Sequence, residues 1–285
     1  MIRFEESLYS EWIKKGYAQS FEITEIIFHA QTAYQNVLIF RNKAHGKVLA
    51  LDGIIQTTEA DEFIYHEMLT HVPLLARGDV KDVLIIGGGD GGILREVLQH
   101  PVDSATMVEI DREVVDLCRE YMPSLSADAF DDPRTDLIIG DGLAFVAETD
   151  CKFDAIIVDS TDPVGPGEVL FTEKFYRDCH GCLRPGGILA TQNGVPFHQP
   201  EEVTQTHQRM GAVFADTAFY VAAVPTYVGG VMTLAWGCDD AGAKSRSLDT
   251  LKERYRAAGL KTRYYTPELH VASFALPAYI QDLLG

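Results

Sequence analysis

The chain has 285 residues, 46% of them hydrophobic, and a formal net charge of −18. This length suits one large domain, or one large and one small domain, with a sizeable buried core. The acidic balance disfavours nucleic acids and anionic membranes as partners, and it would attract polycations.

No stretch approaches the ~20 apolar residues that span a bilayer. The first twelve residues are acidic and mixed, which is unlike a signal peptide, so we expect a cytoplasmic location. The five cysteines are scattered and odd in number, which argues against a disulfide framework. Cys179 and Cys182 have C-x-x-C spacing but fall inside a predicted helix, 172–183, so we expect no redox or metal role for them.

Short β-rich runs separated by turn signals predict a small antiparallel sheet of hairpins before residue 59. The runs cover 21–28, 33–40, 47–51 and 54–57. Asp52-Gly53 between the last two is a strong tight-turn signal. A lone hairpin layer is marginal in water, so this sheet should pack on the main domain or on another subunit.

From residue 59 onward, helices and strands alternate. The first predicted helix runs from 59 to about 75 with its N-cap at Thr58 and Asp61. Unbroken apolar runs then predict strands buried on both faces, and helices come between them. The strands are 83–86, 105–110, 136–139, 155–158 and 188–191, and the helices are 93–100, 112–121 and 172–183.

This alternation is typical of a doubly wound parallel sheet with helices on both faces. A late strand, 231–236, is expected to add an edge, and 247–258 forms a C-terminal helix. For residues 195–224 we predict only a packing role. We therefore predict an α/β chain with a small N-terminal antiparallel β-hairpin domain, 1–58, and a methyltransferase-like Rossmann domain, 59–285.

A glycine loop follows the first strand of the alternating region. Gly87, Gly89 and Gly92 fit G-x-G-x-x-G, which places backbone N–H groups and a helix N-terminus at a ligand. The second strand ends in Glu109-Ile110-Asp111, where a carboxylate can accept both ribose hydroxyls. The third ends in Gly140-Asp141-Gly142, and Asp141 could accept from an adenine amino group. These three strand ends predict a nucleoside site.

Asp90, at the centre of the loop, limits the choice of nucleoside. Its charge would repel the pyrophosphate of a dinucleotide and the carboxylate of intact S-adenosylmethionine. It would attract the ammonium that ends the tail once that carboxylate is gone.

A second acidic segment follows the fourth strand. Asp159 stands at the strand's carboxyl end, where doubly wound folds hold ligands. Asp162 follows in a Pro/Gly-rich loop, 163–167, whose prolines restrict it. Two carboxylates at the mouth of a nucleoside site suit a positively charged substrate such as an amine.

In these motifs the chain resembles the spermidine synthases, the aminopropyltransferases of polyamine biosynthesis. The resemblance covers nearly the whole chain, and Tyr65-His66, where some relatives have Tyr-Gln, is similar to the bacterial branch. It is carried by 51–53, 56–59, 61–68, 87–92, 94–96, 108–111, 159–166, 192–194 and 225–227.

The resemblance implies transfer of an aminopropyl group from decarboxylated S-adenosylmethionine to putrescine, giving spermidine and methylthioadenosine. It implies Asp159 as the general base and Asp162 as the group that holds the distal ammonium. Further amine contacts are implied at Tyr65, His66, Asp90, Ser160, Thr161 and Tyr227. Nucleoside contacts are implied at Gln35, Gly87, Gly89, Glu109, Asp141, Gly142 and Pro166. The donor would be a co-substrate, with no cofactor and no metal, in a homodimer or homotetramer.

Other functions stay open from the residues alone. They are an amine methyltransferase that uses intact S-adenosylmethionine, an NAD-dependent oxidoreductase and a non-catalytic polyamine sensor. The acceptor is also open among putrescine, cadaverine, agmatine and longer polyamines, because a methylene changes selectivity by only ~1–3 kcal/mol. A zinc metalloprotease is rejected, since the helix misses H-E-x-x-H spacing by one residue: position 70 is Thr and His71 follows it.

Overall fold

The computed structural model describes residues 8–161 and 169–285, and the strands of this part form three sheets. Two strands, β1 and β2, pair as a hairpin, and four more form an antiparallel sheet in the order β3-β4-β5-β6. Their bounds are β1 Leu8–Lys14, β2 Tyr17–Glu22, β3 Glu25–Gln31, β4 Asn36–Asn42, β5 Gly46–Leu51 and β6 Ile54–Thr58.

The β1–β2 hairpin was not predicted. Its first strand alternates buried and exposed side chains, the period of a half-buried strand, with Tyr9 and Glu11 inward and Trp12 72% exposed. The predicted run 21–28 is in fact split, since β2 ends at Glu22 and β3 begins at Glu25.

The third sheet has seven strands in the order β12-β13-β11-β10-β7-β8-β9. The chain moves outward from β7 through β8 to β9 and then returns to β10 on the other side of β7, which creates the switch point of a doubly wound sheet. The bounds are β7 Asp82–Gly87, β8 Ser104–Glu109, β9 Thr135–Ile139, β10 Phe153–Asp159, β11 Leu183–Gln192, β12 Asp216–Ala222 and β13 Met232–Cys238.

The late strand was predicted in the wrong place. It lies between β11 and β12 and runs antiparallel to both, so it is not an edge. Every residue of β13 is buried, as expected of an interior strand. The strand at this edge of the sheet is β12, which lies in the region 195–224 for which no element was predicted. Its first three residues are only partly buried, so the strand does not read as an unbroken buried run.

Helices cover both faces of the seven-stranded sheet. Met68, Leu69 and Val72 of α1 pack on one face, and Phe175 and Tyr176 of α6 pack on the other. The α-helices are α1 Glu62–Arg77, α2 Gly92–Leu98, α3 Arg112–Tyr121, α4 Pro123–Ser126, α5 Gly142–Glu148, α6 Glu173–Cys182, α7 Pro200–Gly211, α8 Leu248–Ala258, α9 Pro267–Ser273 and α10 Ala278–Gln281. Among the described residues, no helix is long and apolar enough to cross a bilayer.

Cys179 and Cys182 lie inside α6, as predicted, and both are buried. Burial raises the pKa of both thiols, that of Cys179 well above its ordinary value. Thiolate character is what makes a cysteine reactive, so this environment keeps the pair inert.

The N-terminus of α1 differs from the expected capping arrangement. Asp61 precedes the first helical residue, but its side chain makes no capping hydrogen bond. It accepts instead from the Thr58 hydroxyl at 2.6 Å and from the Thr226 backbone N–H at 2.8 Å. The carboxylate therefore joins the end of β6 to the segment before β13.

Glu67, also on α1, is 2% exposed and fixes the C-terminal segment. Its carboxylate accepts three backbone N–H groups, from Arg263 at 2.7 Å, Tyr264 at 2.8 Å and Tyr265 at 2.7 Å. A buried carboxylate satisfied in this way acts as a structural anchor.

Helices α1 and α2 pack closely where Gly92 begins α2. A Cβ placed on Gly92 would lie 2.2 Å from two atoms of the His66 ring, a separation that real Cβ atoms do not show. The missing side chain therefore lets the His66 imidazole lie against the end of the glycine loop.

We expect Gly92→Ala to destabilise the protein by roughly 1–3 kcal/mol, the cost of overpacking, although Ala is the better helix former. In a His66→Ala background the cost should vanish, because the ring that collides is gone. Urea unfolding at one fixed protein concentration measures both differences.

Gly181→Ala is the matched control, since a Cβ at that helical glycine meets nothing within 4 Å. This substitution should be neutral or stabilising by up to ~1 kcal/mol. An equal cost for Gly92→Ala with and without the His66 ring would show that the contact does not set the packing.

Candidate active site

One cavity of about 280 Å³ opens at the carboxyl ends of β7, β8 and β10, beneath the N-terminal strands. Most of the residues singled out in the sequence line it together. They are Gln35, Tyr65, Gly87, Gly89, Asp90, Glu109, Asp141, Gly142, Asp159, Ser160, Thr161 and Tyr227. His66 packs behind Asp90, and Asp162 and Pro166 lie outside the described residues.

The glycine loop and Asp159 are held together by backbone contact. Asp159 pairs with Gly87 in the parallel register of β10 and β7, and the Gly88 N–H donates to the Asp159 carbonyl at 3.0 Å. Gly87 has φ +80°, and a Cβ there would lie 2.1 Å from that carbonyl oxygen. Only glycine permits this approach, which brings the loop and the acidic segment side by side.

The two acids after β8 have different positions, because one caps a helix and the other lines the cavity. Asp111 is 1% exposed, and its side chain accepts from the Glu113 N–H as the N-cap of α3 and from the Thr32 hydroxyl at 2.6 Å. Gln35 also donates to Asp111, at 3.1 Å. Of the two acids after β8, Glu109 is therefore the one that lines the cavity, with the Asp111 N–H bonded to it at 2.8 Å.

Glu109 and Asp141 both line the cavity, but Glu109 is buried and Asp141 is exposed. Burial raises the pKa of Glu109 to about 7, and the nearby Asp111 and Asp159 charges add to this rise, although backbone N–H bonds oppose it. Asp141 is exposed, and one of its oxygens caps α5 by accepting from the Leu143 N–H at 2.8 Å. Both carboxylates can accept hydrogen bonds from a ligand.

A second group of cavity residues centres on Asp159. The Tyr65 hydroxyl donates to its Oδ1 at 2.6 Å, and the Tyr65 ring meets that of Tyr227 edge-on at 5.9 Å. The Tyr227 hydroxyl donates in turn to the Gln56 carbonyl. Two aromatic rings beside a carboxylate form a slot for an alkyl chain that carries a cation.

Asp90 and Asp159 titrate differently although they are close. Burial and the Asp90 charge raise the pKa of Asp159 to about 6. Burial also opposes ionisation of Asp90, but the His66 imidazolium and the Gly92 N–H bond outweigh it and hold that pKa below its ordinary range. At neutral pH one carboxylate is thus firmly anionic and the other is poised to accept a proton.

One donor atom each from His66, Asp90 and Asp159 lies within 4.8 Å of the others, a spacing that could hold a cation. A metal would need neutral imidazole. Both His66 nitrogens face carboxylates, and the resulting pKa is well above the ordinary value, so the ring has no free lone pair. The cluster suits an organic ammonium or sulfonium better than a metal ion.

Sequence reasoning missed one wall of the cavity, which comes from β1 and β2. Glu11, only 6% exposed, accepts from the Ile55 N–H at 3.2 Å and from the Gln19 side chain, and Trp12 lies beside it. The alternating burial of β1 was the available signal, but these residues stand far from the others along the chain.

The chain matches two family profiles. One, described as the spermine/spermidine synthase domain, covers residues 62–246, and the other, the spermidine synthase tetramerisation domain, covers 8–59. A protein named polyamine aminopropyltransferase 1 from Pseudomonas aeruginosa is 56% identical over 278 residues, which is 97% of each chain. A polyamine aminopropyltransferase from Escherichia fergusonii is 53% identical over 99% of this chain and 98% of its own.

Solved structures of spermidine synthases also resemble this chain. A crystal structure of spermidine synthase in complex with the transition-state analogue AdoDATO superimposes with a TM-score of 0.93 at 38% identity, over 100% of this chain and 96% of that one. The spermidine synthase of Thermotoga maritima superimposes with a TM-score of 0.90 at 36% identity, over 100% and 95%. The predicted fold class and family are confirmed: the chain belongs to the spermine/spermidine synthase family of polyamine aminopropyltransferases.

Proposed function

We propose that this enzyme is a spermidine synthase, which transfers the aminopropyl group of decarboxylated S-adenosylmethionine to putrescine. One observation carries the proposal: Asp159, at the end of β10, lines a single cavity together with Glu109 and the glycine loop and with Tyr65 and Tyr227. Its relatives are named polyamine aminopropyltransferases, and one structural neighbour binds a transition-state analogue.

The charge of the cavity supports a cationic donor that lacks a carboxylate. The ionised Asp90 and Asp159 carry two negative charges against one positive charge on His66, and Glu62 is paired with Arg95. A site with this excess attracts a sulfonium and an ammonium and opposes the carboxylate of intact S-adenosylmethionine. The donor is consumed in the reaction, so we propose that it is a co-substrate and that the enzyme uses no cofactor.

In the reaction the acceptor nitrogen attacks the methylene carbon bonded to the sulfonium. The N–C bond forms, the C–S bond breaks, and its electron pair returns to sulfur, giving the thioether of methylthioadenosine. The proton lost by nitrogen goes to Asp159. We propose that Asp162 holds the distal ammonium and that Tyr65 and Tyr227 enclose the chain between the two amines.

The energetic problem is the acceptor's own pKa. With a Lys-like value of ~10.4, recruiting free amine at pH 7 costs roughly 4–5 kcal/mol. Direct transfer of the proton from the amine to Asp159 becomes roughly 3 kcal/mol less unfavourable when the carboxyl pKa rises from 3.8 to about 6, at ~1.36 kcal/mol per unit. The nearby sulfonium lowers the pKa of the bound amine, and alignment of the reacting atoms supplies a further advantage.

The deciding experiment incubates the enzyme with decarboxylated S-adenosylmethionine and an equimolar panel of putrescine, cadaverine, agmatine and spermidine. Mass spectrometry should find methylthioadenosine and spermidine as the dominant products. Asp159→Asn should lower kcat by at least ~10²-fold, the usual size of general-base catalysis, with product binding almost unchanged. Asp128→Asn, at an exposed position, is the control.

The pH profile follows from the same carboxylate. A base works only when ionised, so wild-type kcat/KM should fall as the pH drops through about 6. Absence of methylthioadenosine with every amine would refute the proposed function. If the product forms only from intact S-adenosylmethionine as methylated amine, the methyltransferase alternative holds.

For the nucleoside half, we propose that Glu109 binds the ribose hydroxyls and that Gln35, Gly87, Gly89, Asp141, Gly142 and Pro166 line the rest. Hydroxyl donors favour the ionised carboxylate, which is lost as the pH falls through about 7. We therefore expect methylthioadenosine to bind roughly tenfold more weakly at pH 6 than at pH 8.

Isothermal titration calorimetry of wild type, Glu109→Gln and Glu113→Gln measures this dependence. The exposed Glu113 change should leave it intact. Glu109→Gln should weaken binding and abolish the dependence, which should persist in Asp159→Asn. If wild type bound methylthioadenosine equally well at both pH values, Glu109 would not be the group that binds the ribose hydroxyls.

We propose that residues 1–58 form a separate unit that serves assembly into a dimer or tetramer. The support is the edge strand β3, where Ile26 is 50% exposed, and the tetramerisation profile that matches 8–59. Multi-angle light scattering should give a mass above 31.5 kDa that falls in Ile26→Lys. A wild-type monomer at working concentration would contradict this.

A further inference from the structure

His66 lies between two carboxylates from different parts of the fold. Its Nδ1 is 2.6 Å from Glu62 Oε2, one turn earlier on α1, and its Nε2 is 3.4 Å from Asp90 Oδ2 in the glycine loop. A neutral imidazole has one N–H and can satisfy one of these acceptors. The Glu62 contact is a hydrogen bond and the Asp90 contact is an ion pair, so carboxylates flank both ring nitrogens and favour the imidazolium.

Glu62 is itself fixed from a second helix. Arg95 of α2 places its guanidinium 2.8 Å from Glu62 Oε2 and 2.8 Å from Glu96 Oε1, and it donates to the Leu125 carbonyl. Glu62 is 8% exposed and His66 is 2% exposed, so solvent screens neither charge strongly.

The charged groups around the His66 ring come from four elements. Glu62 is on its own helix, Arg95 comes from α2, Asp90 from the glycine loop and Asp159 from the end of β10. The Tyr65 hydroxyl, which donates to Asp159, is a further titratable neighbour among the described residues. Glu62 and Arg95 together add no net charge, so the His66 proton decides how negative the cavity wall is.

We propose that Glu62 is a positioning residue for aminopropyl transfer: with Arg95, it holds His66 as an imidazolium whose Nε2–H faces Asp90. The cation partly cancels the Asp90 charge felt at Asp159, so both carboxylates can be ionised in one cavity. This inference rests on the proposed function and adds to it a residue that lies behind the cavity and touches no reacting atom.

The direction of the titrations agrees with this arrangement. Burial would lower the pKa of His66, yet Asp90 and Glu62 raise it well above its ordinary value of 6.5. The Asp90 charge raises the pKa of Asp159, and the His66 charge lowers it. Without Glu62, His66 should lose its proton more readily, and Asp159 should become harder to ionise.

The first test needs neither substrate nor turnover. NMR of the intact enzyme with ¹⁵N-labelled histidine follows each ring, and His66→Gln identifies the His66 signals. In wild type, the ring should remain an imidazolium at pH values where an ordinary histidine, with a pKa of 6.5, is neutral. A ring that titrates in the ordinary range in wild type would overturn the inference, even if no Glu62 variant folded.

The second test is kinetic. Glu62→Gln should move the acidic limb of kcat/KM to higher pH and lower the value below pH 7 by roughly tenfold, the effect of losing a nearby opposite charge. Glu67→Gln is the matched control, because Glu67 is also buried on α1 but bonds the backbone of residues 263–265. It should leave the limb in place, whatever its effect on thermal stability.

A double-mutant cycle separates positioning from general damage. In a His66→Gln background, Glu62→Gln should cause no further shift of the limb, because the group through which it acts is gone. A full additional shift would refute the inference. If wild type makes no methylthioadenosine, the proposed function fails, and the same NMR titration of Glu62→Gln beside wild type still decides whether Glu62 keeps His66 charged.

Discussion

The active site depends on keeping several buried carboxylates ionised close to one another, although their mutual repulsion raises their pKa values. Asp90 and Asp159 share the cavity wall, and the described residues supply compensation through His66 and the Glu62–Arg95 pair behind it. An unpaired buried charge is prohibitively costly, so the groups must be arranged as an alternating series of opposite charges. The result is one firmly ionised acid, Asp90, and one acid, Asp159, whose pKa is about 6.

The fold supplies this arrangement through close backbone approaches. Parallel pairing of β7 and β10 sets Asp159 opposite Gly87, and the absence of a Cβ on Gly87 and Gly92 lets the segment and the His66 ring come within contact. The same register places Glu109 at the end of the neighbouring strand. The position of the cavity thus follows from strand order, and the proposed chemistry depends on the charges placed at the strand ends.

Two structural acids on α1 illustrate how one helix serves both stability and the site. Glu67 anchors the C-terminal segment through three N–H groups, whereas Glu62, five residues earlier, faces His66 and Arg95. Both are buried glutamates, and composition does not distinguish them. Their different roles come from the surface that each side chain meets when the helix packs.

The sequence alone determined the alternating strands and helices, the glycine loop and the acids at the strand ends, because these patterns are local and their spacing is short. It also led to the family, and the residues that it indicated around the nucleoside and amine line one cavity where they are described, except His66, which packs behind Asp90. Three outcomes came from the three-dimensional packing: β13 lies inside the sheet, β1 forms a cavity wall, and Asp111 caps a helix while Glu109 lines the cavity. Those outcomes depend on contacts between residues distant in sequence, such as Thr32 with Asp111 and Arg95 with Glu62, which leave no periodic signal in the chain.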